Sequence, residues 1–254
     1  MSTVIETARV MLPTQKTKIN KRWQDQKFLM IGTGKTGKSE FWAQGEKTLF
    51  LECEPGLNHL EVMKVTCRSW ADIRDTYLEL YNANKDGKFP YDTVVIDTGD
   101  RLVKFAAEEV ITRAKEKYKK EIADAINTLG DVPNGNGWYL NTELVSNVLA
   151  KFEAFPAAVV VIAHTDKKEI KSPTTSIHKD TISIGGQTGT NMLYWADHVI
   201  HVRARQVGDE IQRNLRTMPT DTIEAGSRGK MIPDGLVWSK DPVKNYAEFR
   251  KLFD

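Results

Sequence analysis

The stretch GTGKTGKSE, residues 32–40, constrains this chain more than any other. It follows the short apolar run KFLMI at 27–31 and fits the pattern G-x-x-x-x-G-K-[ST] at Gly32, Gly37, Lys38 and Ser39. That pattern needs a strand before it and a helix after it. Its glycines let main-chain N–H groups curl around a phosphate chain that a Cβ would obstruct. The start of the following helix adds positive potential. Lys38 supplies a point charge for the terminal phosphates, and the Ser39 hydroxyl is suited to Mg2+. Thr33, Gly34, Lys35 and Thr36 complete the expected nucleotide loop, and Glu40 follows it in the first helical turn. Two readings of Lys35 stay open: contact with phosphate from the loop crown, or a solvated side chain.

Periodicity places further elements around this loop. KTLFLECE (47–54) reads as a second strand, and SWADIRDTYLELYNAN (69–84) as a helix with Ser69 as N-cap and Asp72 three residues later. YDTVVIDT (91–98) and AAVVVIAHT (157–165) are near-continuous apolar runs of the kind buried on both faces of a sheet. A long helix is predicted over 101–128, a turn-rich loop over 129–139, and another helix from about Asn141. Residues 166–189 are polar and without clear period, and the stretch from 196 onward reads as strand-rich. Strand and helix in alternation predict an α/β fold: a mostly parallel central sheet flanked by helices, with a strand-rich C-terminal part. Residues 1–26 read as a polar arm, a candidate oligomerisation segment, before one domain over 27–254.

A nucleotide loop that hydrolyses needs a carboxylate beside the metal and a base for water. Asp97 ends an apolar run at the carboxyl edge of its strand, where open α/β sheets bind ligands, and is the candidate metal-side carboxylate. Its alternative is the N-cap of the next helix. For the base, Glu54 lies at the carboxyl end of the second strand, on the same face as Glu52, before Pro55-Gly56. Asp100 is the other candidate and also suits an N-cap. His164 ends the VVVIAH run, placed to sense the γ-phosphate and pass the signal into the loop beyond; the alternative is a structural histidine.

In this order, GTGKTGKS, LFLECEPGL, TVVIDT and VVVIAHT resemble the RecA-like ATPase core. With GNGWYLNTELVSNVLAKFEAFPAAVVVIAHTDKKEIK and RNLRTMPTDTIEAGSRGKMIPDGLVW, the chain looks like phage-encoded, core-only RecA relatives of the single-strand annealing recombinase type. The resemblance covers residues 25–240. It implies a RecA-like P-loop NTPase core, ATP and Mg2+ as cofactors, single-stranded DNA as partner, and annealing or recombination as the outcome. It also implies a homo-oligomer, ring or filament, with nucleotide between subunits, a single-stranded-DNA-binding protein as a further partner, and a cytoplasmic setting, that of the host cell. In such proteins the loop after the fourth strand holds DNA, which points to Lys167, Lys168, Lys171 and Lys179; Trp138 is a candidate stacking platform. Strands near the subunit boundary carry Arg213 and Arg216, candidates for reaching a neighbour's γ-phosphate.

Other classes fit less well. A GTPase would show N-K-x-D after a strand, and AHTDKK does not match; a small-molecule kinase would need an arginine-rich lid. A RecA-fold DNA helicase or translocase motor shares the core and is the alternative, although only ~26 residues precede the first strand, too few for the extra domain such motors bring. The net charge of +2 excludes a global basic field, so any polyanion must be met by local patches. The two cysteines, Cys53 and Cys67, lack metal-ligand spacing and fit a reduced compartment. No apolar run approaches the ~20 residues of a membrane span.

Overall fold

A computed structural model describes residues 12–171 and 176–253. The chain runs β1 (Lys27–Ile31), α1 (Lys38–Trp42), β2 (Thr48–Glu52), β3 (Met63–Thr66), α2 (Trp70–Lys85), β4 (Thr93–Asp97) and α3 (Gly99–Lys117). There follow α4 (Lys120–Ala123), α5 (Asn136–Glu153), β5 (Ala158–Ala163), β6 (Thr165–Lys171), β7 (Ser176–Ile182) and α6 (Gly186–Trp195). The last elements are β8 (His198–Val207), β9 (Glu210–Arg216), β10 (Gly226–Ser227), β11 (Leu236–Trp238) and α7 (Pro242–Arg250). The main sheet has the order β11-β9-β8-β1-β5-β4-β2-β3, with β10 on β8; the six strands from β8 to β3 are parallel and the remainder antiparallel. This is the expected α/β fold, a mostly parallel central sheet flanked by helices, with β5 lying between the strand that precedes the glycine loop and the strand that ends in Asp97.

Side-chain alternation explains why both faces are covered. Leu29, Ile31, Leu49, Leu51, Val94, Ile96, Val159 and Val161 face one way, against α2, α3, α5 and α6. Phe28, Met30, Phe50, Val95, Val160 and Ile162 face the other, against α1 and α7. A strand apolar at every position is stable only with a layer on each side. Register then does the positioning: Ile31 pairs with Ala163, Ile162 with Asp97, and Asp97 with Glu52. Four strand tips therefore end level on one edge.

Several elements differ from the sequence expectation. The long helix expected over 101–128 stops at Lys117, because Ile126, Leu129 and Val132 fold back onto Val110 and Ala114 as a separate small cluster. The polar stretch after His164 contains the antiparallel hairpin β6–β7 and then α6, and α7 lies within the expected strand-rich end. The expected arm also ends earlier. Residues 12–22 are exposed, but Trp23 is buried among Phe28, Trp42, Phe249 and Phe253. Its indole N–H donates to Thr93 Oγ1 at 2.9 Å, and the Arg250 guanidinium lies 4.1 Å from its ring. Residues 1–11 of the arm lie outside the described residues.

Trp23 thus ties the entry of β1 to α7. Trp23→Ala should lower the unfolding free energy by about 3–5 kcal/mol, read from urea denaturation. Trp23→Phe, which keeps most of the apolar area, should cost markedly less.

Candidate nucleotide site

The loop after β1 is shaped by two of its glycines. A Cβ at Gly32 would stand 2.7 Å from the Val202 carbonyl oxygen of β8, too close for any other residue. Gly37 has φ of 87°, in the left-handed region, and turns the chain into α1. Above Gly34 the space is open. Thr36 is buried and its hydroxyl donates to Thr33 O at 2.9 Å, while Thr33, Lys35 and Glu40 are exposed.

Lys38 is 6% exposed, and its ammonium donates to Gly32 O at 2.9 Å and Thr33 O at 2.8 Å. Burial lowers its pKa from the ordinary 10.5 to about 8, against the opposing charges of Asp97 and Asp100. The Ser39 hydroxyl donates to Asp97 Oδ2 at 2.6 Å. Burial raises the Asp97 carboxyl, and nearby Glu54 raises it further, against the Ser39 hydrogen bond and the Lys38 charge. A hydroxyl and a carboxylate this close, beside a buried ammonium and an open loop crown, fit a phosphate chain with a divalent cation. Such a cation takes most of its ligands from phosphate and water.

Glu54 lies just past β2, and its main-chain N–H donates to the Asp97 carbonyl at 3.2 Å, as does Cys53 N–H at 2.7 Å. Its carboxylate accepts from Thr98 Oγ1 at 3.2 Å. Thr98, rather than Asp97 or Asp100, caps α3: its hydroxyl accepts from Arg101 N–H. Glu52, the companion acid, is buried and holds the turn that carries Glu54. It accepts from Leu57 N–H, Lys64 Nζ and Thr66 Oγ1. Burial opposes its ionisation, yet those three donors hold its pKa below the usual range.

Asp100 has a role the sequence did not assign. One oxygen accepts from the His164 main-chain N–H at 3.0 Å and lies 3.3 Å from His164 Nδ1. The other accepts from the Ser183 hydroxyl, which also reaches His164 O. The tip of β5 is thereby joined to the segment between β7 and α6. A cleft of about 850 Å3 opens beside Asp100, lined by Trp138, Tyr139, Asn141, Ser183 and Gly186 among others. Trp138 and Tyr139 lie in the first turns of α5, not in a loop, and both are more than 60% exposed.

The lysines and arginines separate. Lys167 and Lys168 are exposed on β6; the side chain of Lys171 lies outside the described residues. Lys179 pairs with Glu224 at 2.9 Å. Arg216 pairs with Asp234 within its own chain at 3.0 Å. Arg213 sits beside Gly37 of its own loop, not at a free outer face.

A family model described as an AAA domain (AAA_24) matches residues 24–229. The chain belongs to this AAA domain family. No curated protein matches the sequence. Among solved structures, the KaiC-like protein PH0186 from the hyperthermophilic archaeon Pyrococcus horikoshii OT3 is similar at 12% identity, over 76% of this chain and 77% of that one. Its TM-score is 0.37. The AAA domain is a P-loop NTPase. Among the described residues, no helix is long and apolar enough to cross a membrane.

The depressed Lys38 has a measurable sign. The unfolded chain keeps this proton to about pH 10.5 and the folded protein to about 8, so folding stability rises with pH across that window. At pH 7 the buried charge costs on the order of 3 kcal/mol. Lys38→Met should therefore raise the melting temperature of the nucleotide-free protein at pH 7 while removing nucleotide binding. The gain should shrink as pH rises from 8 towards 10.5; a gain independent of pH would show that buried charge is not its source.

Proposed function

We propose that this AAA domain is a Mg2+-dependent ATPase that binds single-stranded DNA and uses the nucleotide state to control annealing in homologous recombination. The proposed setting is a homo-oligomer in the cytoplasm of a phage-infected cell. The observation that carries the reading is the Asp100 carboxylate. It grips His164 at the tip of β5 with one oxygen and Ser183, at the root of the β6–β7 hairpin, with the other. A change at the phosphate edge then has a direct route to the exposed Lys167 and Lys168 and to the aromatic cleft.

Lys38 and the loop amides bind the phosphates, and Ser39 with Asp97 would hold the cation. When bound, Mg2+ neutralises charge on the phosphates and fixes their orientation. Glu54 accepts a proton from the attacking water. The Thr98 hydroxyl orients that carboxylate by donating to one oxygen, which leaves the other for water. Glu52 keeps the turn under Glu54 from moving. His164 senses whether the terminal phosphate is present and passes the change to Asp100. Lysines on a hairpin neutralise DNA phosphates without reading sequence, and Trp138 with Tyr139 offers flat apolar surface to bases.

Glu54→Gln should retain ATP binding and lose hydrolysis by about 10²–10⁴-fold; normal turnover would move the base elsewhere, with Asp100 next. The double change Lys167→Glu and Lys168→Glu should weaken single-stranded DNA binding. It should also flatten the slope of log affinity against log salt by at least about 1.4. Unchanged DNA affinity would remove the hairpin from the interface. Unwinding of a forked duplex, in place of annealing of complementary strands, would mark a helicase motor.

A further inference from the structure

Beside the phosphate loop stands a second wall that no motif announces. Arg213 of β9 and Trp238 of β11 are cross-strand partners in the antiparallel register. Both lie beside Gly37: a Cβ there would lie 3.4 Å from Trp238 Cζ3, on the benzene edge of the indole, and 3.7 Å from Arg213 Nε. The indole is held by Phe41 of α1, stacked at 5.0 Å with an interplanar angle of 12°. A small cleft of about 60 Å3 is lined by these side chains together with Gly37, Glu40 and Phe41.

Among the described residues, Arg213 Nε and Trp238 Nε1 are both buried and have no hydrogen-bond partner; of the two, it is Arg213 Nε that lies beside Gly37. Cations elsewhere on β9 and on the adjacent β8 are treated differently. Arg216, three residues on, is committed to Asp234, and Arg203 lies 3.7 Å from an Asp180 oxygen. A buried N–H without a partner costs more than a hydrogen bond returns, so the Arg213 Nε–H beside the loop needs an explanation. The acceptor oxygens of a bound phosphate chain provide one. The end of the loop at Gly37 and Lys38 is where main-chain amides cradle the first two phosphates.

We infer that Arg213 is a nucleotide-binding residue acting in cis: its N–H groups donate to the proximal phosphates held by the loop of the same chain, while the Trp238 ring walls the site. The inference rests on the nucleotide reading of that loop and reverses the expected direction of Arg213, which had pointed to a neighbouring subunit. A cis donor at the proximal phosphates contributes equally to ATP and ADP binding. A trans donor at the γ-phosphate would leave ADP binding unchanged. Planarity and the Nε–H matter here, so lysine is a poor replacement.

The test measures binding of ADP and of a non-hydrolysable ATP analogue, with Mg2+, to the full chain. Arg213→Ala should weaken both by a similar factor, about tenfold or more. Arg213→Lys should recover only part of the loss, and Trp238→Phe, which keeps the stack on Phe41, should leave both affinities near wild type. Wild-type ADP affinity in Arg213→Ala would overturn the inference, as would recovery of hydrolysis on mixing Arg213→Ala with Lys38→Ala subunits, the signature of a trans donor. Lys38→Ala alone tests the underlying reading. If it binds both nucleotides normally, the loop is not the site and the inference falls with it. If it alone loses them, the loop stands and the second wall is rejected.

Discussion

A lysine ammonium buried under its own loop is the constraint from which the rest of this AAA domain follows. Lys38 cannot be solvated, so two loop carbonyls must turn inward to hold it, and the loop amides are left facing outward. That inversion makes the loop a receptor for anions. It also needs Gly32 packed hard against β8 and Gly37 in a left-handed turn, which fixes the loop to the sheet at both ends. The parallel sheet supplies a level edge, and the register of β1, β5, β4 and β2 brings Asp97, Glu54 and His164 to it.

The edge is held by unequal devices. Glu52 is fully engaged and serves as a fixed post for the turn that follows it. Asp97 and Ser39 satisfy each other but have a natural third partner in a cation. Asp100 is shared between two elements that differ in burial: β5, within the core, and the polar hairpin root, outside it. One short arc therefore holds a fixed, a cation-competent and a shared carboxylate.

Much of this was legible in the residues. Apolar runs closed by the glycine loop, Asp97 and His164 located β1, β4 and β5; glycine spacing located the loop, and place at the carboxyl end of a strand singled out Asp97 and Glu54. Ser69 caps α2 as its sequence indicates, with its hydroxyl accepting from Asp72 N–H. Where legibility failed, packing or pairing had overridden local pattern. The β6–β7 hairpin has no buried face in its outer half, so no alternation appears in TDKKEIK. Helix α6 begins GQTGT, a run with low helix propensity, and forms because Met192 and its neighbours complete the core. Asp100 and the Arg213–Trp238 pair depend on contacts across 64 and 25 residues of sequence, which no spacing rule reaches.

The outer half of the hairpin carries one further consequence. Its rungs pair Lys168 with Lys179 and Ile170 with Ile177, and both isoleucines stay more than a third exposed. Like charges opposite one another and apolar groups left in water give such a ladder little intrinsic cohesion. Its amide protons should therefore exchange with solvent far sooner than those of β1 or β5, through local openings that leave the sheet intact. Any polymer that settles on it must supply the free energy of ordering, so affinity there is inherently adjustable by whatever stiffens the root.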